Sequence, residues 1–168
     1  SNPYDTTRSA SLGSSSGSAL SVSTNLVMAS LGEETRASCR GPSNHNAISL
    51  ILPHKAMIGF DGGAIGADLY CDRSGVHGKS LADCAQILDA LKDPEEGYYD
   101  ERDPFTTVPR SSVITSTFAS NLTKKTAKDT LKECRIGVVR ESMVYPIQSL
   151  TEKPIVDAAK IEIKEVLW

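Results

Sequence analysis

Two serine-bearing segments, separated by an apolar spacer, constrain the fold of this 168-residue chain more than any other feature. Residues 13–19 read Gly-Ser-Ser-Ser-Gly-Ser-Ala, and residues 36–42 read Arg-Ala-Ser-Cys-Arg-Gly-Pro. Between them, residues 19–31 place leucine, valine and methionine among small residues, which fits a buried helix running into a short strand. Glycine and serine form tight turns and let the backbone approach a bound molecule closely. The sequence therefore predicts two serine turns joined by a helix and a strand, although composition alone suggests a flexible linker over residues 9–18.

Composition and charge exclude several classes of function. Hydrophobic residues make up 39% of the chain and charged residues 23%, values that are ordinary for a soluble globular domain. The net charge of −3 and the lack of a lysine- and arginine-rich block argue against nucleic-acid binding. No apolar stretch is long enough to cross a bilayer, and the start of the chain shows no signal-peptide pattern. We therefore expect a cytoplasmic protein with no membrane and no nucleic-acid partner.

The cysteines and histidines predict neither a disulfide framework nor a metal site. The cysteines lack a CxxC pair, so free thiols in a reducing compartment are expected. The histidines lack a metal-binding spacing such as HExxH, and the glycines do not form a GxGxxG phosphate loop. We therefore expect no metal and no cofactor. The residues concerned are Cys39, Cys71, Cys84, Cys134, His45, His54 and His77.

Predicted strands and helices alternate along the chain. Short buried strands are expected over residues 47–52 and 57–60. Ser80, with Asp83 three residues later, forms a variant of the capping box, and the apolar spacing that follows predicts an amphipathic helix to about Leu91. This alternation indicates an α/β domain. Further expectations are a surface loop over residues 94–108, a strand over residues 134–139 and a helix over residues 154–167.

The two serine segments resemble the core of the amidase signature hydrolases. That family typically reads Gly-Gly-Ser-Ser-Gly-Gly-Ser-Ala, a small or apolar stretch, and then Gly-Thr-Asp-x-Gly-Gly-Ser-x-Arg-x-Pro. The present sequence aligns with this pattern without a gap, with Ser14 on the first serine, Gly32 on the next glycine and Ser38 on the second serine. A register that starts at Ser15 loses the Ser-Ala match and the glycine match. Ser15 and Ser16 are therefore less favoured interpretations of the first turn.

The resemblance extends to both sides of this core. Residues 2–4 resemble the Asn-Pro-aromatic segment that leads into the first serine turn, and residues 72–83 resemble a Gly-Pro-x-x-Arg-Thr/Ser-x-x-Asp-Ala segment. The resemblance implies that residues 1–168 are an incomplete amidase signature domain, part of an α/β/α sandwich with a mixed central β-sheet. The N-terminal part with the catalytic lysine and the C-terminal part are expected to lie outside the chain.

The resemblance implies a Ser–Ser–Lys triad that cleaves a carboxylic amide or related C–N bond through a serine acyl-enzyme. Ser38 would be the nucleophile, and Ser14 would be a bridging serine that is held through a cis peptide bond and relays a proton. The lysine, as general base and later general acid, is expected upstream of Ser1. The 168-residue chain alone is therefore expected to be catalytically incomplete.

The expected oxyanion hole departs from the family pattern. The resemblance places its donors on the backbone N–H groups of Thr35, Arg36, Ala37 and Ser38. The family usually has two glycines at positions 36 and 37, and glycine reaches positive φ at a lower cost than arginine or alanine. Either the turn avoids that region or the hole is altered. Glu34 stands where the family usually has aspartate.

Several alternatives accompany this interpretation. Cys39 as a thiol nucleophile is disfavoured because the alignment puts serine on the reactive position. Arg40 is expected to be a buried brace of the serine loop. The second functional hypothesis is a non-catalytic family member or fragment that serves as a structural or assembly subunit, and esterase activity is a minor variant of the first. The expected partners are a small-molecule amide substrate and the remainder of the polypeptide, and a homodimer is left open.

Overall fold

The computed structural model describes residues 2–7, 13–55, 57–58, 71–92, 116–122, 131–132, 134–135 and 137. The chain divides into two compact units, Ser1–Lys124 and Lys125–Trp168. The described residues of the second unit are all exposed. The loop predicted over residues 94–108 and the helix predicted over 154–167 lie outside the described residues, as does half of the strand predicted over 134–139. The described residues of that strand, Cys134, Arg135 and Gly137, are not in a strand, so this prediction is wrong for them.

The described part of the first unit alternates helices and strands, as the sequence predicts. The predicted helix and strand over residues 19–31 are confirmed, although the helix begins earlier and the strand ends later. The predicted strand over 47–52 is confirmed as a shorter one, whereas Met57 and Ile58, at the start of the strand predicted over 57–60, form a bend. The elements are α1 (Ser16–Ser23), β1 (Ala29–Glu34), α2 (Arg40–His45), β2 (Ser49–Ile51), β3 (Arg73–Gly78), α3 (Leu81–Leu91) and a 3₁₀ turn (Ala119–Asn121).

Strand β3 is the centre of a three-stranded antiparallel sheet with the order β1-β3-β2. In the pairing of β1 with β3, Ala29 lies opposite Gly78 and Glu34 lies opposite Arg73. The last residue of β1 therefore sits beside the first residue of β3. Strand β2 pairs with the second half of β3. The mixed central sheet and the α/β/α sandwich that the resemblance implies remain predictions.

Neighbouring side chains approach the glycines of β3 closely. A Cβ at Gly75 would lie 2.9 Å from Cδ2 of Leu52 and 3.1 Å from Sγ of Cys39, and a Cβ at Gly78 would lie 2.8 Å from Sγ of Cys84. These positions therefore lack room for a side chain. Val76, between these glycines, is fully buried in the core.

Helix α3 supplies the apolar face that packs against the sheet. The capping box predicted at its start is confirmed, because Ser80 Oγ accepts from Asp83 N–H at 3.2 Å and Asp83 accepts from Ser80 N–H at 3.0 Å. Within the part of the chain that the structure describes, helices are too short or too polar to cross a bilayer. The core cluster consists of Ile58, Val76, Cys84 and Leu88, with Ile51, Met57, Ile87 and Phe118 packed against it.

Candidate active site

The segment of residues 35–39, called the serine turn below, connects β1 to α2 and carries Ser38. Ser38 and Thr35 are half-buried, and the side chains of Arg36 and Ala37 are exposed. The candidate nucleophile therefore lies in a connection between two ordered elements, partly accessible to solvent. The expected oxyanion-hole residues lie in the same turn.

The two serine segments of the sequence contact each other through their backbones. A Cβ at Gly13 would lie 2.5 Å from the Ser38 Cα, and the N–H of Ser15 donates to the Ser38 carbonyl at 3.2 Å. Ser14 lies between these two contacts and is exposed. The fold therefore brings the segments that carry Ser14 and Ser38 together, although no hydrogen bond joins the two hydroxyl groups in the described residues.

The cis peptide bond expected at Ser14 is absent. The described residues, which include both neighbours of Ser14, contain no cis peptide bond. This expectation is wrong for the structure, and the trans form agrees with the preference of about 3–4 kcal/mol that peptide bonds without proline show.

Ser15 has a structural role in joining the first segment to β1. Its hydroxyl donates to the Glu33 carbonyl at 3.0 Å and accepts from the Glu33 N–H at 3.1 Å. The Cys39 thiol also donates to it, with sulfur and oxygen 3.5 Å apart. Because this hydroxyl is buried and committed to three contacts, Ser14 is the accessible member of the pair.

Glu34 anchors the end of the serine turn. Its fully buried carboxylate accepts from the backbone N–H groups of Cys39 at 3.0 Å and Arg40 at 2.9 Å, and from Arg40 Nε at 2.6 Å. The Arg73 guanidinium lies 3.5 Å away. Burial raises the pKa of the Glu34 carboxyl, but the hydrogen bonds from Arg40 and Cys39 outweigh burial and hold this pKa below its ordinary value. The charged carboxylate thus fixes the start of α2 against β1.

Further contacts brace the turn from both ends. Thr35 Oγ1 donates to the buried Asp72 carboxylate at 2.6 Å. The Arg40 guanidinium donates to the Arg36 carbonyl. The expectation that Arg40 braces the serine loop is confirmed, but its burial is wrong, because the Arg40 side chain is 59% exposed. The exposed Arg40 guanidinium forms an ion pair with the buried Glu34 carboxylate, so Arg40 can brace the turn from the protein surface.

Four backbone donors of the serine turn have no acceptor in the described structure. The N–H groups of residues 35–38 make no hydrogen bond to another described residue, whereas the next two N–H groups both bind Glu34. Neither Arg36 nor Ala37 has a positive φ. The turn therefore avoids the left-handed region, and the two side chains do not strain the backbone. This geometry leaves N–H donors available beside the Ser38 hydroxyl.

A buried polar cluster connects β1 and β3 to Ser15, Cys39 and Ser43. The fully buried His77 has Nδ1 2.9 Å from Ser43 Oγ, and its Nε2 has no partner in the described structure. A Cβ at Gly32 would lie 2.7 Å from this Nε2, 2.8 Å from Ser15 Oγ and 2.9 Å from Cys39 Sγ. Burial lowers the pKa of His77, and the negative charge of Glu34 only partly offsets this effect. The imidazole is therefore neutral at neutral pH.

Cys39 is fully buried next to Ser38. Burial raises the pKa of its thiol to about 11, so the thiol is protonated at neutral pH. This state argues against Cys39 as the nucleophile. In the described residues, Cys39 and Cys84 are buried, whereas Cys71 and Cys134 are exposed. The described residues contain no group of three or more histidine, cysteine, aspartate or glutamate side chains arranged to hold a metal ion.

Sequence reasoning missed two contributions to this site. It assigned no role to His77, which lacks any motif and becomes part of the cluster only because β3 pairs with β1. It also did not anticipate that Asp72 holds Thr35 across 37 positions of sequence. The only available signal was that Asp72 falls in the second segment of the family resemblance.

Comparisons with known proteins find amidases and an amidotransferase subunit that are similar to this chain. The chain is 34% identical over 140 residues to a subunit of the glutamyl-tRNA(Gln) amidotransferase from Azoarcus sp. strain BH72, covering 83% of this chain and 26% of that protein. A structure of a peptide amidase in complex with the competitive inhibitor chymostatin has a TM-score of 0.60 and 32% identity, covering 71% of this chain and 23% of that chain. An amidase family protein from Bacillus anthracis strain Ames has a TM-score of 0.62 and 25% identity, covering 73% of this chain and 23% of that chain.

These similarities concern a part of the related proteins. The chain spans about a quarter of the length of the relatives that it matches. The Amidase family model matches residues 1–162, which include both serine segments, all described helices and the three strands of the sheet. The chain therefore belongs to the amidase family.

Proposed function

We propose that this chain carries the nucleophile and the oxyanion hole of a hydrolase that cleaves a carboxylic amide or related C–N bond. The observation that carries the proposal is the serine turn, which contains the half-buried Ser38 and four backbone N–H groups, those of residues 35–38, without an acceptor in the described structure. Hydrolysis of an amide requires a nucleophile beside donors for the developing oxyanion. Family membership supports this chemistry.

In the proposed mechanism, Ser38 Oγ attacks the carbonyl carbon and gives its proton to Ser14, which passes a proton to the lysine expected upstream of Ser1. The carbonyl oxygen becomes an oxyanion, which accepts hydrogen bonds from the N–H groups of the serine turn. The intermediate expels the amine, which takes a proton from the lysine, and leaves an acyl group on Ser38. Water, deprotonated by the same lysine, then attacks the acyl-enzyme, and the carboxylic acid is released as the lysine returns its proton to Ser38 through Ser14.

Glu34 acts in this mechanism as a positioning residue. Its carboxylate takes the N–H groups of Cys39 and Arg40, so the remaining donors of the turn are held in place before substrate binds. Donors that need no reorganisation are the most effective in stabilising an oxyanion. The buried charge of Glu34 is balanced by Arg40 and Arg73.

Labelling with a serine-directed fluorophosphonate tests the proposal on the full-length protein. We expect mass spectrometry to place the label on Ser38, and we expect Ser38→Ala to lose both the label and amide hydrolysis. Ser23→Ala is the matched control, because the Ser23 hydroxyl is buried without a hydrogen-bond partner in the described residues. A label at another residue, or hydrolysis unchanged in Ser38→Ala, contradicts the proposal.

The exposed side chains of Arg36 and Ala37 favour a second candidate function. They stand where the family usually has glycines, two residues and one residue before Ser38. A non-catalytic family member, acting as a structural or assembly subunit, does not need glycines at these positions. A correctly folded full-length protein that reacts with no fluorophosphonate supports this second candidate.

A further inference from the structure

We infer that Arg36 is a specificity-determining residue that selects amide substrates with an anionic group, such as a carboxylate, close to the scissile carbonyl. The inference rests on the proposed function of Ser38. It adds a substrate class to that function, because the Arg36 guanidinium, close to the nucleophile in sequence, would bind the anionic group of the substrate.

Of the three arginines at or next to the serine turn, Arg40 and Arg73 form ion pairs with Glu34, whereas Arg36 forms none in the described residues. The guanidinium of Arg40 lies 2.6 Å from the Glu34 carboxylate, and that of Arg73 lies 3.5 Å from it. The Asp72 carboxylate accepts from Thr35 at 2.6 Å. The Arg36 side chain is exposed, and it has no ion pair or hydrogen bond in the described residues.

The position of Arg36 suits recognition of a group attached to the reacting carbonyl. It precedes Ser38 by two residues, so the two Cα atoms are at most about 7 Å apart. A guanidinium on a long side chain at this position can reach a carboxylate a few bonds away from the carbonyl carbon. Its planar fork of N–H donors matches a carboxylate through two parallel hydrogen bonds.

The carboxylates of the protein near the serine turn do not form an ion pair with Arg36 in the described residues. Glu34 and Asp72 are both buried and accept hydrogen bonds from the turn or its neighbours. Glu33 precedes Glu34 on β1, and successive side chains of a strand face opposite sides of the sheet. Direct stabilisation of the oxyanion by Arg36 is a different role, for which the turn already offers backbone N–H groups.

Steady-state kinetics of the full-length enzyme on succinamate and its neutral analogue succinamide test this inference. We expect Arg36→Gln to lower kcat/KM for succinamate about 10- to 100-fold, which is the range for a lost charge-assisted hydrogen bond. The value for succinamide should change by less than about 2-fold, since that substrate lacks the charge. Arg36→Lys should recover part of the loss for succinamate.

Lys79→Gln is the matched control, because it removes a positive charge far from the turn. Lys79 Nζ donates to the Ser23 carbonyl at 2.8 Å, and Lys79 follows Gly78, which pairs with the first residue of β1. Glu34, next to the serine turn, is the last residue of that strand. The Lys79→Gln variant should therefore match the wild-type protein on both substrates.

Each alternative result has a distinct meaning. An equal loss on both substrates indicates direct stabilisation of the oxyanion and overturns the inference, and so does no loss on either substrate. Binding of succinate, measured by isothermal titration calorimetry, tests Arg36 without turnover. If the wild-type protein hydrolyses neither amide, fluorophosphonate labelling at Ser38 decides the proposed function separately, and the inference is overturned unless the protein binds succinate and Arg36→Gln weakens that binding at least about 10-fold.

Discussion

Gly13 lies so close to Ser38 that a Cβ at position 13 would come within 2.5 Å of the Ser38 Cα. Non-bonded carbon atoms pack best at about 3.5–4.0 Å, so this contact excludes every side chain. The distance between the two serine segments is therefore set by backbone atoms. It does not depend on the conformation of either serine side chain.

Gly13→Ala should destabilise the protein and disturb Ser38. A methyl group at this contact must displace backbone, and overpacking of this kind costs about 1–3 kcal/mol of unfolding free energy. Urea denaturation measures this loss. The rate of fluorophosphonate labelling at Ser38 should fall as well, because the serine turn has to move.

Gly17→Ala provides the control for this substitution. Gly17 lies in α1, and a Cβ there would meet no atom within 4 Å. Alanine at this exposed helical position should be neutral or should stabilise the protein by about 0.5–1 kcal/mol. Equal effects of the two substitutions would contradict the importance of the Gly13 contact.

Glu34→Gln should lower stability by about 1–3 kcal/mol, because a neutral amide replaces a buried carboxylate that accepts several hydrogen bonds. The NH₂ group of the glutamine would also lie against the N–H donors of Cys39 and Arg40, with which it cannot form hydrogen bonds. Glu34→Asp keeps the charge, so it should retain more stability than Glu34→Gln. Urea denaturation of both variants at pH 7.5 makes the comparison. A Gln variant as stable as the wild-type protein would show that charge at this position is dispensable.

Folding stability should decrease as the pH falls below 6.5. Burial holds the pKa of His77 below its ordinary value of 6.5, so the unfolded chain takes up this proton first. The contribution of His77 is therefore complete above pH 6.5 and is lost as the pH falls towards the pKa in the folded state. The lowered pKa of Glu34 adds a second loss as the pH falls below the ordinary value of 4.5.

Urea denaturation of the wild-type protein and His77→Gln at pH 7.5, 6.0 and 5.0 tests this dependence. The variant has no titrating group at position 77, so its stability should change less between pH 7.5 and 5.0. Parallel pH profiles for the two proteins would assign the acid sensitivity to other groups.

The cysteines should react with iodoacetamide in two classes. Cys71 and Cys134 are exposed, whereas Cys39 and Cys84 are buried and burial raises the pKa of each of their thiols to about 11. We expect native protein at pH 7.5 to be labelled at the two exposed cysteines and unfolded protein at all four. Peptide mapping by mass spectrometry distinguishes the sites. If Cys39 of the native protein were labelled as fast as Cys71, its thiol would be reactive, which would contradict the argument against Cys39 as the nucleophile.

Local signals predicted α3 well, and long-range contacts explain what could not be predicted. The capping residues Ser80 and Asp83 and the apolar spacing after them lie within one continuous segment, so they indicate the helix without knowledge of the fold. Strand β3 has no alternation of apolar and polar residues, and its place in the sheet depends on side chains from distant parts of the chain. Helix α2 likewise begins where Glu34 binds its first N–H group.

The family resemblance predicted part of the candidate site. The resemblance named Ser14 and Ser38, and the contact at Gly13 explains how the fold brings their segments together. It could not reveal the three contacts of the Ser15 hydroxyl or the burial of His77. The contacts of Ser15 depend on packing of its turn against β1 and Cys39, and the burial of His77 depends on the place of β3 in the sheet, which no local pattern in the sequence records.

The crowding around Gly32 also limits how this protein can vary. A single methyl group there would meet His77, Ser15 and Cys39, all within 2.7–2.9 Å. These four positions share one small volume, so related sequences should change them as a set, with a larger residue at one position matched by a smaller one at another. A double-mutant cycle that combines Gly32→Ala with Cys39→Gly should accordingly show a favourable coupling, because the second substitution removes one of the atoms that the new methyl group meets.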